Sequence, residues 1–157
     1  HIVSRPLVGS PFKEAGNEGF RRLAGYIFGD NDLDQKIAMT APVGLTAESQ
    51  EKDDEQFWVT FSMPAEYGFD ELPEPDDARV QVETVATRYL AVLPYRGNWS
   101  EKRYRKHEAK LLSLLENVST WRIAGEPTWA RYDPPFMPGF MRSNEVAIEV
   151  VPIVVGQ

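Results

Sequence analysis

FRRLAGYIFGDNDLDQKIAMTAPV, residues 20–43, decides the fold, because an apolar helix, a glycine stop, an acidic turn, a strand and a proline kink follow one another without a gap. Reading back from it, Phe12, Gly16, Phe20, Leu23 and Ile27 recur at three- and four-residue steps and so share one helix face, with Gly19 and Tyr26 at its margin. Such a face is built to lie on a sheet. Ser10 before Pro11 is a good helix start, since the hydroxyl accepts from orphan amides and proline gives up no needed donor. Gly29 is the natural stop. Gly16, Gly19 and Gly25 each cost roughly 1 kcal/mol against alanine inside a helix, so something approaches this helix closely. The plainer reading is a sheet; the functional one is a flat ligand.

Outward from this stretch, residues 1–8 suit a short edge strand, and residues 36–45 read as a strand through Ile37, Met39 and Ala41 that Pro42 ends or bulges. Phe57, Val59, Phe61 and Met63 alternate with Trp58, Thr60 and Ser62, the clearest strand of the chain. Residues 65–78 carry acid and proline without a hydrophobic period and read as a linker. Strands are expected over 79–85 and 88–95. A second helix follows, capped by Asn98 with Glu101, and its apolar stripe runs through Tyr104, His107, Leu111, Leu114, Leu115 and Val118. A short strand over 129–132 and a long one over 145–155 close the chain. The order is that of two βαββ halves, about 1–85 and 86–157, within one domain. The kinks at 39–42 and 132–135 read as equivalent, each just after the helix of its half. The expected fold is α+β, a curved, largely antiparallel sheet or distorted β-barrel with two flanking helices and pseudo-twofold duplication.

Seventeen Lys and Arg against 24 Asp and Glu give a net charge of −7, so the molecule repels phosphate backbones and nucleic acid is not an expected partner. No apolar run reaches the length that crosses a bilayer. The absence of cysteine removes disulfides and thiolate chemistry. His1 in place of methionine points to a trimmed or processed start; the cytoplasm is favoured and an exported form stays open.

Most site chemistries fail on residue type. The two histidines, His1 and His107, stand near no serine in a strained elbow. Asp30, Asp32 and Asp34 imitate a calcium loop, but Gln35 replaces the turn glycine and Ala41 the bidentate glutamate. Glu71 and Glu74 lie in an acidic loop with no apolar pocket to split their pKa values. His107, within the apolar stripe of the second helix, is the weak candidate for an iron or metal ligand, against the plainer reading of a half-buried histidine paired with backbone or water. YDPPFMPGFMR, residues 132–142, crowds aromatic and thioether side chains into a proline-stiffened loop. It reads either as a flap over the core or as a wall of an apolar site with Arg131 or Arg142 at its rim.

At these residues the chain resembles the SOUL haem-binding protein family. The F-x-x-L-x-x-Y-I-x-G spacing of residues 20–29, KIAMTAPV at 36–43, F-x-M-P at 61–64, LPEPDDARV at 72–80, ARYDPPF at 130–136 and RSNEV at 142–146 carry the resemblance, in order, along nearly the whole chain. The resemblance implies a pseudo-twofold α+β fold, related in plan to GyrI-like ligand-binding domains. It also implies non-catalytic binding of haem or a related tetrapyrrole in an apolar groove between helix one and the Y-x-P-P loop. A porphyrin needs flat apolar walls and cations for its propionates. Because Phe20, Leu23 and Ile27 face the sheet, Arg21, Ala24, Phe28, Lys36 and Met39 are the residues expected to meet the ligand from the first half. Tyr132, Phe136, Met137 and Arg142 are expected from the second. The iron-binding histidine proposed in some members has no counterpart near helix one, leaving binding without a protein axial ligand or with His107, Met39 or a tyrosine in that role. The alternative from another class is a protein-interaction module using the same groove. An enzyme with Tyr132 or a loop carboxylate as acid or base ranks last.

Overall fold

The computed structural model describes residues 2–9, 12–48 and 56–154, and the chain divides into two compact units, His1–Thr87 and Arg88–Gln157. The expected helix start at Ser10 and Pro11 lies outside the described residues. The first unit runs β1 (Ile2–Val8), α1 (Phe12–Phe28), β2 (Val43–Glu48), β3 (Gln56–Ser62) and β4 (Val80–Thr84). Its antiparallel strands are ordered β4-β1-β3-β2. The second unit runs β5 (Tyr89–Arg96), α2 (Glu101–Glu116), β6 (Trp121–Ile123), β7 (Thr128–Arg131) and β8 (Ser143–Pro152), with β5, β6 and β7 all antiparallel to β8. The class is α+β as expected, with antiparallel strands and one helix in each unit.

The duplication is visible in the pairing. In each unit the strand before the helix pairs with the last of the βαββ set, which also pairs with the middle one: β1-β3-β2 and β5-β8-β7. The two kinks are not equivalent, however. Pro42 stands before β2, whereas Pro134 and Pro135 follow β7, the counterpart of β2.

Alternation in β3 does what the sequence predicts, burying Phe57, Val59 and Phe61 against α1. The buried centre of α1 is shifted from the expected stripe: Gly19, Leu23 and Tyr26 lie at its middle, while Phe12 and Phe20 lean in from the rim, edge-on to Phe57 and Phe61 at 5.5 Å each. Gly19 is the cause. A Cβ there would overlap Val59 Cγ2, so the missing side chain is what lets helix and sheet touch. Gly19→Ala is therefore expected to destabilise by about 1–3 kcal/mol through overpacking against a stiff β-branched partner, less roughly 1 kcal/mol regained in helix propensity. Denaturant unfolding measures it, and a variant more stable than its parent would contradict the contact.

Three local expectations are corrected. Residues 36–41 form no strand: the Ile37 amide donates to Ile27 O of the helix at 2.8 Å, Ile37 is buried while Met39 and Ala41 are exposed, and pairing begins only at Val43. Residues 65–78 are not a free linker. A single 3₁₀ turn, Phe69–Glu71, interrupts them, and the following backbone docks on the acidic turn, with Asp32 N donating to Glu74 O at 3.0 Å and Asp76 N to Asp30 O at 3.2 Å. Ser100, not Asn98, caps α2, accepting from Arg103 N at 3.3 Å.

Candidate functional site

In the first unit the candidate residues flank the C-terminal end of α1. Gly29, at φ 127°, ends the helix in a conformation that glycine adopts freely. Asn31 then organises the turn from inside. Its Nδ2 donates to Tyr26 O at 2.9 Å and Gln35 O at 2.8 Å, and its Oδ1 accepts from Leu33 N and Gln35 N. Tyr26 donates to Pro73 O at 2.9 Å, and burial, with Asp32 nearby, pushes its phenol up to about 12. This frame leaves Phe28 63 % exposed, with Lys36 and Met39 also exposed and Ala24 half-buried. Arg21 opens on a pocket of about 230 Å³ that Glu18, Arg22, Asp30, Asp77 and Arg79 also line. Arg22 pairs with Glu18 and Arg79 with Asp77, whose carboxyl the Arg79 hydrogen bonds pull down to about 2. Arg21 is thus set among carboxylates.

In the second unit the sequence folds the 132–142 loop around a cation. Arg142 Nε donates to Met137 O at 2.9 Å and Nη2 to Pro135 O at 2.5 Å, while its guanidinium lies 4.1 Å over the Trp99 ring. Arg131 covers the same indole at 4.8 Å and donates to Tyr104 Oη at 2.8 Å. Gly139 leaves no room for a side chain, since a Cβ would meet Asn98 Oδ1. Asn98, Trp99, Arg131 and Arg142 thereby shape the loop, and both arginines expected at a rim are engaged in holding it. Above this base Phe136 is 85 % and Phe140 77 % exposed, with Met141 beside them and Met137 half-buried.

Tyr132 points to the opposite face of β8. Its hydroxyl donates to Glu145 Oε2 at 2.6 Å, and burial and that carboxylate push the phenol up to about 12. The pair stands in a pocket of about 510 Å³ that Pro94, Arg96 and Ser143 also line. His107 is half-buried on α2, its ring stacked on Tyr95 at 3.8 Å and its Nδ1 2.7 Å from Arg103 O, so the plainer reading of that histidine describes its setting. Among the described residues no group of three or more His, Cys, Asp or Glu side chains gathers to hold a metal ion. No helix among the described residues is long and apolar enough to cross a membrane.

Sequence reasoning did not single out Glu145, Arg96 or Asn31. Glu145 sits in the RSNEV motif, but its meeting with Tyr132 depends on the β7–β8 register, in which Ala130 pairs with Glu145.

The chain belongs to the SOUL heme-binding protein family, whose family model matches residues 1–149. It is 33 % identical over 147 residues to Heme-binding protein 1 of Xenopus laevis, covering 92 % of this chain and 76 % of that relative. It is 30 % identical over 115 residues to Heme-binding protein 2 of Homo sapiens, covering 72 % and 56 %. Among solved structures, the cryo-EM structure of an EcmrR–DNA complex superposes with a TM-score of 0.69 over 97 % of this chain and 54 % of that one. At 11 % identity that likeness shows the fold alone.

Proposed function

We propose that this chain binds haem or a related tetrapyrrole without transforming it, and so sequesters, buffers or passes it on. Family membership and the names of the relatives support the reading. One structural observation carries it: Phe136 and Phe140 stand in solvent on a loop whose backbone Arg142 already holds. Leaving a large apolar side chain in water forgoes about 1.5–3 kcal/mol of burial, which a flat ring laid on it recovers. Because the loop is pre-ordered, little further conformational entropy is lost on binding.

Phe28, Ala24 and Met39 are the apolar residues offered by the first unit, with Lys36 and Arg21 as cations for propionates. Arg96, exposed beside Tyr132, is the corresponding cation of the second unit. Absorbance titration with hemin tests the contributions separately. Phe136→Glu is expected to weaken binding about tenfold or more, equivalent to roughly 1.4 kcal/mol. Phe28→Glu and Met39→Glu report on the first unit in the same assay. Unchanged, nonsaturating responses in all three variants would count against a specific site, and a stoichiometric protein partner insensitive to hemin would favour an interaction module instead.

A further inference from the structure

We propose that the second unit docks on an anionic lipid bilayer, with the 132–142 loop entering the interface and the cations of α2 meeting the headgroups. The inference goes beyond the tetrapyrrole reading and is tested without hemin.

The net charge of −7 is not evenly spread along the chain. Residues 1–87 carry seven Lys and Arg against 17 Asp and Glu, a net −10, whereas residues 88–157 carry ten against seven, a net +3. Four of those ten cations stand exposed on α2: Lys102, Arg103, Lys106 and Lys110. Lys102, Lys106 and Lys110 follow one another at four-residue steps, a like-charge stripe that weakens a helix in water. Neighbouring acids do not relieve it. Glu101 and Glu108 both turn to Arg105, at 3.6 and 3.8 Å, and Glu108 also accepts from Trp129. Among the described residues no carboxylate forms an ion pair with any of the three lysines or with Arg103. An anionic surface supplies the counter-charge that the stripe lacks.

Apolar surface adjoins these cations. Residues 134–141, PPFMPGFM, hold no charge, and Phe136, Phe140 and Met141 stand exposed. The loop is tied to the start of α2: Gly139 packs against Asn98, Arg142 lies over Trp99, and Arg142 O accepts from Gly97 N at 3.0 Å. The Arg103 guanidinium in turn lies against Gly97. A bilayer receives projecting apolar side chains without a matching pocket, and its anionic headgroups pair with cations beside them. A protein partner would need a cavity shaped to two rings. Nucleic acid favours aromatics spaced along a cationic groove, not gathered on a charge-free loop.

Flotation of the full chain with vesicles of equimolar phosphatidylcholine and phosphatidylserine, compared with phosphatidylcholine alone, tests the proposal. Binding is expected to the anionic vesicles only, and is expected to fall as salt is raised. Lys102→Gln, Lys106→Gln and Lys110→Gln together are expected to weaken it about 100-fold, from about fivefold per cation at a membrane surface. The same triple variant is expected to leave the hemin titration unchanged. Because the chain has no cysteine, Phe140→Cys carries a single environment-sensitive fluorophore, whose emission is expected to shift to the blue on anionic vesicles alone. Binding to neither vesicle, or equal binding to both, overturns the proposal. Salt-sensitive binding that leaves the fluorophore in water overturns it in favour of a purely electrostatic contact. Binding to duplex DNA and not to vesicles overturns it in favour of nucleic acid. Anionic-vesicle binding by a wild type that shows no saturable hemin binding upholds this inference and sinks the tetrapyrrole reading.

Discussion

Trp129→Ala is expected to lower the unfolding free energy by about 3–5 kcal/mol, the range for truncating a buried large aromatic. Only 1 % of Trp129 is exposed. Its ring stacks on Tyr104 at 5.5 Å and 9°, Arg105 lies 4.8 Å over it, and its Nε1 donates to Glu108 Oε2 at 3.0 Å. Truncation opens a cavity between α2 and the sheet and leaves Glu108 without that donor. The effect reaches the candidate site because Trp129 anchors β7, the strand that carries Arg131 and leads into Tyr132. Circular dichroism during urea unfolding measures it; a loss under about 1 kcal/mol would mean that the site collapses around the smaller residue, against the packing described.

Asn31→Ala is the second large effect, with about 2–4 kcal/mol expected, since four hydrogen bonds worth roughly 0.5–1.5 kcal/mol each disappear together. The side chain is 2 % exposed, so the Tyr26 and Gln35 carbonyls it serves are not simply rehydrated. Asn31→Asp separates the donors from the acceptors. A carboxylate keeps the bonds from Leu33 N and Gln35 N but turns an oxygen toward the two carbonyls that Nδ2 now serves. It is expected to be about as damaging as alanine. If Asn31→Asp is neutral instead, the amide donors are not what holds the turn, and the placement of Lys36 and Met39 beyond it has another cause.

These two residues mark how far the sequence could be read. The β3 strand was legible because strict alternation at Phe57, Val59 and Phe61 has one solution on a half-buried sheet. Helix one was legible from its apolar steps, but its buried centre was not, since the shift toward Gly19 comes from Val59 on a strand 40 residues away. The turn after helix one was read from its aspartates, whereas Asn31 among them does the organising. Nothing in local chemistry distinguishes an asparagine that faces inward from one in solvent. The apparent strand over 36–41 failed because its period-two pattern belongs to a segment bonded to the helix.

At the candidate site, the composition of the 132–142 loop left two readings open, a flap over the core or a wall of an apolar site, and Phe136 and Phe140 stand in solvent. The sequence could not tell that Arg142 is bound to the loop's own carbonyls, because that depends on the chain doubling back over Trp99. The Tyr132–Glu145 pair was hidden for a similar reason: the β7–β8 register brings the residue after β7 to Glu145 of β8, 13 residues on in the chain.

The claim that this chain holds a tetrapyrrole is tested most directly by titrating the intact protein with hemin while recording the Soret band. The account predicts a shifted band and a sharp break at one equivalent, with the break lost or moved well beyond one equivalent in Phe136→Glu. A gradual response without a break, the same in both proteins, would contradict it.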